Sequence, residues 1–297
     1  MKRRYFLESS LILIAGCTAA TSNANSRSFN SDIRSQPEKL RFTVTGLEDL
    51  EQLQRNYDPL RTALEEVLEQ KIEFAPFESY IAAAAALQVD QVDLVLTGPS
   101  EYVVMRARTN AVPVIGITRP HYRSVICVSA NSKITLLAQL KGKKIAMWEV
   151  GSTSGHLGPT QLLIDAGLNP HSDLEILMLG SEGLPALKKG EIDAWGGTAR
   201  RYQNFLQNQN LSKNSLPLIA QGPLLPNDLF VVNSKFAPEC VKKISERMVK
   251  NREKLLQSLF PAESGKYKGS DLVPVNDSDY NMIRAVYTAI GQGRFIQ

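Results

Sequence analysis

Val92-Asp93-Leu94-Val95-Leu96-Thr97-Gly98-Pro99-Ser100 is a nearly unbroken apolar run closed by a Gly-Pro-Ser turn. An apolar run on both faces suits a strand inside a parallel sheet. Gly-Pro-Ser suits the opening of a helix, with proline in the first turn. The same punctuation recurs on both sides. Upstream, Leu40-Arg41-Phe42-Thr43-Val44 alternates as a strand does, and Asp58-Pro59 is expected to open a helix to Gln70 with Leu60, Leu64, Val67 and Leu68 on one face. A strand over 72–75 and an Ala-rich helix over 79–87 follow. Downstream, strands are expected at 112–118 and 124–129, and the pattern then repeats. It gives a strand at 144–148, a helix at 155–166, a strand at 174–179 and a helix at 182–189. A strand at 192–195, a helix at 198–207 and strands at 216–220 and 229–233 come next, with closing helices near 238–259 and 278–290. Alternating units predict an α/β protein with mostly parallel sheets. Ligands in such folds sit where strands end and helices begin.

The chain has 297 residues, enough for two lobes of ordinary size. Its composition, 43% hydrophobic and 22% charged, is globular. The net charge of +4 is scattered, which argues against nucleic acid as a partner. No stretch of eighteen apolar residues is present, so nothing is expected to span a membrane after processing. Cys127 and Cys240 read as two separate thiols, with a disulfide left open. His121 and His171 have no companion at metal-ligand spacing, so no metal and no cofactor is expected.

The N-terminus reads as an address. Met1-Lys2-Arg3-Arg4 is basic, a short apolar stretch runs over 11–15, and Gly16-Cys17 follows. Ile14-Ala15-Gly16-Cys17 resembles the bacterial lipobox, whose cysteine becomes lipidated, and Arg3-Arg4-Tyr5-Phe6-Leu7 resembles the twin-arginine export signal. Glu8 departs from that pattern by shortening the apolar core. Residues 18–37 are rich in Ser, Asn, Thr and Ala and cannot bury a core, so they read as a tether.

Gly151-Ser152-Thr153-Ser154-Gly155-His156 lies between a predicted strand and a predicted helix. Unpaired N–H groups and the helix dipole favour an anion there, and three hydroxyls add neutral donors. The glycines let backbone approach a ligand closely. The loop lacks the Gly-Lys-Ser/Thr ending of a Walker loop and the spacing of a nucleophile elbow. On composition alone it is either an anion seat or a plain N-cap with redundant hydroxyls.

Several segments together carry a family resemblance. Val92-Asp93-Leu94-Val95-Leu96-Thr97-Gly98-Pro99-Ser100-Glu101-Tyr102-Val103 resembles the "VDLAFLGPxSYV" segment of phosphonate and phosphite ABC-transporter binding proteins. Leu140-Lys141-Gly142-Lys143-Lys144-Ile145-Ala146 is similar to their "LKGKKVA", and the Ser-Thr-Ser-Gly loop follows at the family's distance. Gly180-Ser181 and Gly190-Glu191-Ile192-Asp193-Ala194 resemble "GS…GEVDA", and Tyr122-Arg123-Ser124-Val125-Ile126 resembles the crossover strand. The resemblance implies a two-lobed type II periplasmic binding protein, each lobe a mostly parallel sheet flanked by helices, with the ligand in the interlobe cleft. Residues 1–17 would be the lipoprotein signal peptide with its lipobox cysteine, 18–37 the tether, 38–121 plus 224–297 lobe I, and 122–223 lobe II. The implied partners are a small oxyanion and a membrane permease with its ATPase. The chain would be monomeric and would sit on the periplasmic side of the cytoplasmic membrane by its lipid alone.

By the same resemblance Ser152, Thr153 and Ser154, with Gly155, match ligands of the phosphonate oxygens, and Tyr80 and Tyr102 match cleft tyrosines that either donate a hydroxyl or pack. Asp228 matches an acid facing the anion, which would need a P–OH proton or an amine on the ligand. His156, if protonated, would add a donor; otherwise it covers the helix end. Glu182 stands where binders of aminophosphonates carry a histidine, and Thr198-Ala199-Arg200-Arg201 where they carry an acid for the amine. An arginine there disfavours a cationic tail, so a smaller anion or one with a second negative group fits better. Glu182 and Arg200 are candidates to pair with each other. Trp148 and Trp195 either line a ligand tail or pack in the core. Transport is the leading reading, with no catalytic triad in view. A sensor feeding a membrane receptor and an enzyme on the same scaffold are the alternatives.

Overall fold

In a computed structural model of the chain, residues 38–46, 49–77, 80–261 and 266–297 are described, the side chains of Tyr80 and Ile81 excepted. The signal peptide, Cys17 and the tether lie outside the described residues.

Two mixed sheets organise the chain. The first takes β1 (Lys39–Val44), β2 (Lys71–Phe74), β3 (Leu94–Thr97), β4 (Val112–Ile117), β10 (Asp228–Val232) and β11 (Leu272–Val273), in the order β11-β4-β10-β3-β1-β2. The second takes β5 (Ser124–Val128), β6 (Lys143–Met147), β7 (Leu174–Met178), β8 (Ala194–Thr198) and β9 (Leu218–Gln221), in the order β7-β6-β8-β5-β9. The α/β class is the one the alternation predicts, but parallel pairing is confined to part of each sheet. β1 runs parallel to β2 and β3, and β6 to β7 and β8. β10 is antiparallel to β3 and β4, and β5 to β8 and β9. The reason is topological: β5 and β10 are the strands on which the chain arrives from the other sheet, so each enters against the local direction.

The helices are α1 (Leu50–Leu68), α2 (Tyr80–Gln88), α3 (Pro99–Thr109), α4 (Gly158–Asp165), α5 (Gly183–Lys189), α6 (Ala199–Asn208), α7 (Pro238–Lys250), α8 (Arg252–Leu259) and α9 (Asn281–Ala289). α1 corrects the expected start at Asp58-Pro59. It begins at Leu50, capped by Asp49 Oδ1 accepting from the Gln52 N–H at 2.7 Å, and Pro59 lies inside it. Proline costs one backbone bond and strains the preceding turn. Leu53, Tyr57, Leu60 and Leu64 offset that by being fully buried under the first sheet; each such side chain contributes about 1.5–3 kcal/mol. The single closing helix expected over 238–259 is two, α7 and α8, divided at Asn251. β8 runs to Thr198 rather than ending at Trp195, and β11 has no counterpart in the sequence reading.

One charge interrupts the apolar run before β3. Asp93 is 1% exposed. Its carboxylate accepts from the Arg41 backbone N–H at 2.9 Å and from Arg41 Nε and Nη2 at 2.8 Å each. A buried carboxylate is tolerated when it is paired and hydrogen-bonded, and this one locks the edge of β1 to the chain entering β3.

Candidate functional site

Two connections join the sheets: residues 118–123 lead from β4 to β5, and 222–227 lead from β9 to β10. They run side by side. Leu225 N–H donates to the Tyr122 carbonyl (2.9 Å), Gly222 N–H to the Ser124 carbonyl (2.9 Å), and Arg123 Nη1 to the Gly222 carbonyl (3.0 Å). Next to them, the loop after β6 meets the loop after β3.

The loop after β6 is not a plain N-cap. Residues Thr153–Leu157 form one π-helical turn before α4. Leu157 N–H donates to the Ser152 carbonyl (2.9 Å), and Ser152 Oγ accepts from the Gly155 N–H (3.3 Å). Such turns are wide and recur at functional sites. Two glycines permit it. A Cβ on Gly155 would overlap Trp148 Cβ, and one on Gly158 would overlap Ser124 Oγ. The Trp148 N–H holds the Gly155 carbonyl at 2.9 Å, and Ser124 Oγ donates to the Ser154 carbonyl at 3.0 Å.

Thr153 reaches across to the first sheet. Its Oγ1 donates to Ser100 Oγ (2.8 Å) and accepts from the Ser100 backbone N–H (3.0 Å) at the start of α3. Ser100 Oγ in turn donates to Glu101 Oε2 at 2.8 Å. The hydroxyl protons of Thr153 and Ser100 thus point, in series, at one carboxylate. Burial pushes that carboxyl up, and Asp228 nearby adds to the rise, while the Ser100 hydroxyl and Lys266 oppose it. Ser154 is 4% exposed, and its hydroxyl has no hydrogen-bond partner among the described residues.

A cationic cluster lies beside this seat. Asp228, 1% exposed, opens β10. Its Oδ1 accepts from Arg119 Nη1 at 3.1 Å, and its Oδ2 lies 3.1 Å from Lys266 Nζ and accepts from the Tyr267 hydroxyl at 2.8 Å. Burial alone would raise the Asp228 carboxyl; Arg119, Lys266 and the Tyr267 hydroxyl outweigh it and hold the group below the usual carboxylate range. Arg119 also stacks 3.4 Å from the Tyr122 ring centre. A small cavity of about 20 Å³ is lined there by Arg119, Tyr122, Arg123, Thr198, Arg200 and Lys266 among others.

The sequence-predicted residues therefore divide. Ser152, Thr153, Ser154 and Gly155 form the loop as expected, and Arg200 lines the adjoining cavity. Asp228 is present, but its two cations and a hydroxyl already satisfy it. The inference that the ligand must bring a proton or an amine to it is corrected: the carboxylate serves as counter-ion to Arg119 and Lys266. Tyr102 is corrected too. It is fully buried, packs edge-on against Tyr280 with ring centres 4.6 Å apart, and donates its hydroxyl to Asp277 Oδ1 at 2.7 Å. His156 is not a protonated donor. Its Nδ1 accepts from the Gly151 N–H at 3.1 Å, and burial pushes its pKa down to about 4. Glu182 is exposed at the entry to α5. The Tyr80 side chain lies outside the described residues. Trp195 packs in the core under Gly183 and Gly197, while Trp148 carries Arg201 at 3.6 Å from its ring centre. Arg119 and Lys266 were missed; the one available signal was the density of basic residues around the crossover.

Two mixed sheets joined by paired crossovers, with helix-opening loops meeting between them, define a type II periplasmic binding protein. A sequence profile of that class, described as "ABC transporter, phosphonate, periplasmic substrate-binding protein", matches residues 42–280, and the chain belongs to this family. The family is one of transport substrate-binding proteins rather than enzymes. Its members work outside the cytoplasm with a membrane permease and ATPase. The phosphate-import protein PhnD of Mycolicibacterium smegmatis is 25% identical over 278 residues, covering 86% of this chain and 87% of its own. PhnD1 of Prochlorococcus marinus, solved with methylphosphonate, has the same fold, with a TM-score of 0.66 at 19% identity, covering 86% of this chain and 100% of its own. The aliphatic sulphonate binding protein SsuA of Escherichia coli also shares it, with a TM-score of 0.60 at 20% identity, over 88% and 89% of the two chains. Among the described residues no helix is long and apolar enough to cross a membrane.

Proposed function

We propose that the protein captures a small phosphorus oxyanion, a phosphonate or phosphite, between two closing lobes, 38–121 plus 224–297 and 122–223, and delivers it to a permease. The observation that carries this reading is the direct meeting of Thr153 with Ser100. Each belongs to a loop that ends a strand and starts a helical turn, and the two loops come from different sheets. An oxyanion inserted there would take the Ser100 N–H, the Thr153 and Ser154 hydroxyls, and the N–H groups of the first helical turns. Closure removes water and strengthens each bond. Arg119, Lys266, Arg123 and Arg200 provide a positive surround that attracts the anion from solution. A phosphonate head group accords with the ligand of the Prochlorococcus relative. In this reading Cys17 carries the lipid that holds the protein at the periplasmic face of the cytoplasmic membrane, after export by the twin-arginine route.

Sulfonates form a second reading, favoured by the sulphonate-binding neighbour and by a loop that offers neutral donors to any tetrahedral oxyanion. Calorimetry on the full chain with methylphosphonate, phosphite, phosphate, sulfate and methanesulfonate separates the readings. The proposal expects saturable one-to-one binding of a phosphorus oxyanion. Replacing Ser152, Thr153 and Ser154 with Ala should abolish it without unfolding the chain. Binding of methanesulfonate alone supports the second reading, and heat from none of the five anions refutes both.

A further inference from the structure

Glu101 follows directly on Ser100 in the first turn of α3, whose N-cap, Gly98, makes no side-chain cap bond. Its carboxyl folds back over that glycine, where a Cβ on Gly98 would stand 2.7 Å from Glu101 Oε2. Gly98 has a φ of −82°, which any residue adopts, so the glycine serves to make room for the carboxyl. The groups that face the carboxyl are the Ser100 hydroxyl, its own backbone N–H, Asp228 at the start of β10, and Lys266. Asp228 is itself held by Arg119, Lys266 and the Tyr267 hydroxyl. Burial, with Asp228, pushes the Glu101 carboxyl up and outweighs the other three, so it keeps its proton to a higher pH than an ordinary glutamate.

A serine hydroxyl has one proton to give. Ser100 spends it on Glu101 Oε2 at 2.8 Å and accepts from Thr153 Oγ1 at 2.8 Å. An oxyanion that takes the place of Thr153 at Ser100 therefore meets a lone pair, and not a donor, as long as Glu101 is ionised. Two arrangements remove that repulsion. In one, the ligand carries a P–OH and donates it to Ser100 Oγ. In the other, Glu101 carries the proton, donates it to Ser100 Oγ, and the serine proton turns to the ligand. Either way, one proton beyond that of the serine is shared along the row from ligand to Ser100 to Glu101.

We propose that Glu101 makes the seat select phosphorus oxyanions over sulfonates, by setting the direction in which the Ser100 hydroxyl points. The proposal rests on the meeting of Thr153 and Ser100 being the oxyanion seat. Glu101 acts through Ser100 and is a positioning residue. A phosphonate or phosphite brings the shared proton itself below its second ionisation and collects it from solution above it. A sulfonate has no proton to bring and depends on Glu101 for it, so its binding becomes costlier as pH rises past the range in which Glu101 is protonated. A lone pair left facing a buried oxyanion rejects it as an unpaired polar group does.

The test is calorimetry on the full chain with methylphosphonate and methanesulfonate from about pH 5 to about pH 9, for the wild type and Glu101→Gln. Wild-type affinity for methanesulfonate should fall by about tenfold per pH unit once Glu101 ionises, while methylphosphonate holds its affinity up to its own second ionisation. A glutamine amide can donate to Ser100 Oγ without a proton from solution. Glu101→Gln should therefore flatten the methanesulfonate profile and raise its affinity at pH 8 by at least about tenfold relative to methylphosphonate. A purely structural role would weaken both ligands together and leave their ratio and the shape of each profile alone. Parallel wild-type profiles for the two ligands overturn the proposal, and so does an unchanged affinity ratio in Glu101→Gln. So does methanesulfonate binding to neither protein at any pH. In each of these cases the seat survives, because methylphosphonate still binds. The wild-type profiles decide by themselves if Glu101→Gln does not fold. Failure of methylphosphonate to bind the wild type at every pH rejects the seat and the selection together.

Discussion

Replacing Asp228 with Asn separates the two roles open to this residue. The carboxylate is 2% exposed at its side chain and pairs with Arg119 (12% exposed) and Lys266 (17% exposed), each at 3.1 Å. Asn keeps the volume and one oxygen for the Tyr267 hydroxyl, but strands two cations. Removing one partner of a buried pair costs about 3–5 kcal/mol. Residual solvent access of both cations places the expected loss near the lower end, about 3 kcal/mol. For a chain of this length that is a fall in Tm of roughly 6–12 °C. The pH dependence has a definite sign. The folded carboxyl lies below its usual range, so its contribution is complete above the unfolded value and fades only as pH falls through the folded one. The gap between wild type and variant should therefore persist from neutral pH down to about pH 4 and close only below it. Urea titrations at pH 7, 5 and 3 measure that gap. Methylphosphonate calorimetry provides the second readout. A counter-ion lost from the surround of the seat should strengthen anion binding, whereas a carboxylate that touches the ligand should weaken it. A stability gap under about 1 kcal/mol at pH 7, or weaker binding in a folded variant, would refute the counter-ion reasoning.

Other perturbations have equally definite outcomes. Glu101 is an acid whose folded pKa is raised, chiefly by burial, so its native state favours the proton and loses stability as pH rises through that range. Glu101→Gln should flatten this dependence. An anion seated beside this carboxyl should raise it further and draw a proton on binding, and Glu101→Gln should remove that uptake, read by calorimetry in buffers of different ionisation enthalpy. An unchanged proton count contradicts a role for the Thr153–Ser100–Glu101 series. His156 is held neutral, at about 4, by burial, so the native state loses stability as pH falls through 6.5 toward that value. Each unit of that shift is about 1.4 kcal/mol. His156→Asn, whose Oδ1 can still accept from Gly151, should match the wild type at pH 8 and be less acid-sensitive between pH 6.5 and 4 in thermal melts. Gly158→Ala places a methyl on Ser124 and against the Thr153 carbonyl at 3.2 Å. It should cost about 1–3 kcal/mol by denaturant titration and displace the loop, weakening methylphosphonate binding; a variant that retains both properties shows that the loop tolerates the methyl.

Much of the fold was legible because apolar runs and Gly or Pro punctuation are local signals. The run into β3 and the Gly-Ser-rich loop after β6 mark their elements without outside help. α1 starts earlier than Asp58-Pro59 suggests because Asp49 caps it and Leu53 and Tyr57 continue the buried face, so Pro59 sits inside the helix instead of at its first turn. The site was legible only where its chemistry sits in one segment. Ser152, Thr153 and Ser154 are consecutive and could be read together. Asp228 could not, since Arg119 is 109 residues away in sequence and Tyr267 is 39. Tyr102 looked like a cleft tyrosine from its motif, but its hydroxyl partner, Asp277, is 175 residues distant. The π-turn was hidden for another reason. It depends on contacts of Gly155 with Trp148 and of Gly158 with Ser124, which spacing in the sequence does not reveal.

The central claim is that an oxyanion is seated where Thr153 meets Ser100. A crystal structure of the full chain grown with methylphosphonate tests it most directly. The account predicts phosphonate oxygens about 2.6–3.1 Å from Thr153 Oγ1, Ser154 Oγ and the Ser100 backbone nitrogen, with the Thr153–Ser100 hydrogen bonds replaced by bonds to the ligand. A phosphonate bound elsewhere, with Thr153 still bonded to Ser100, would contradict it.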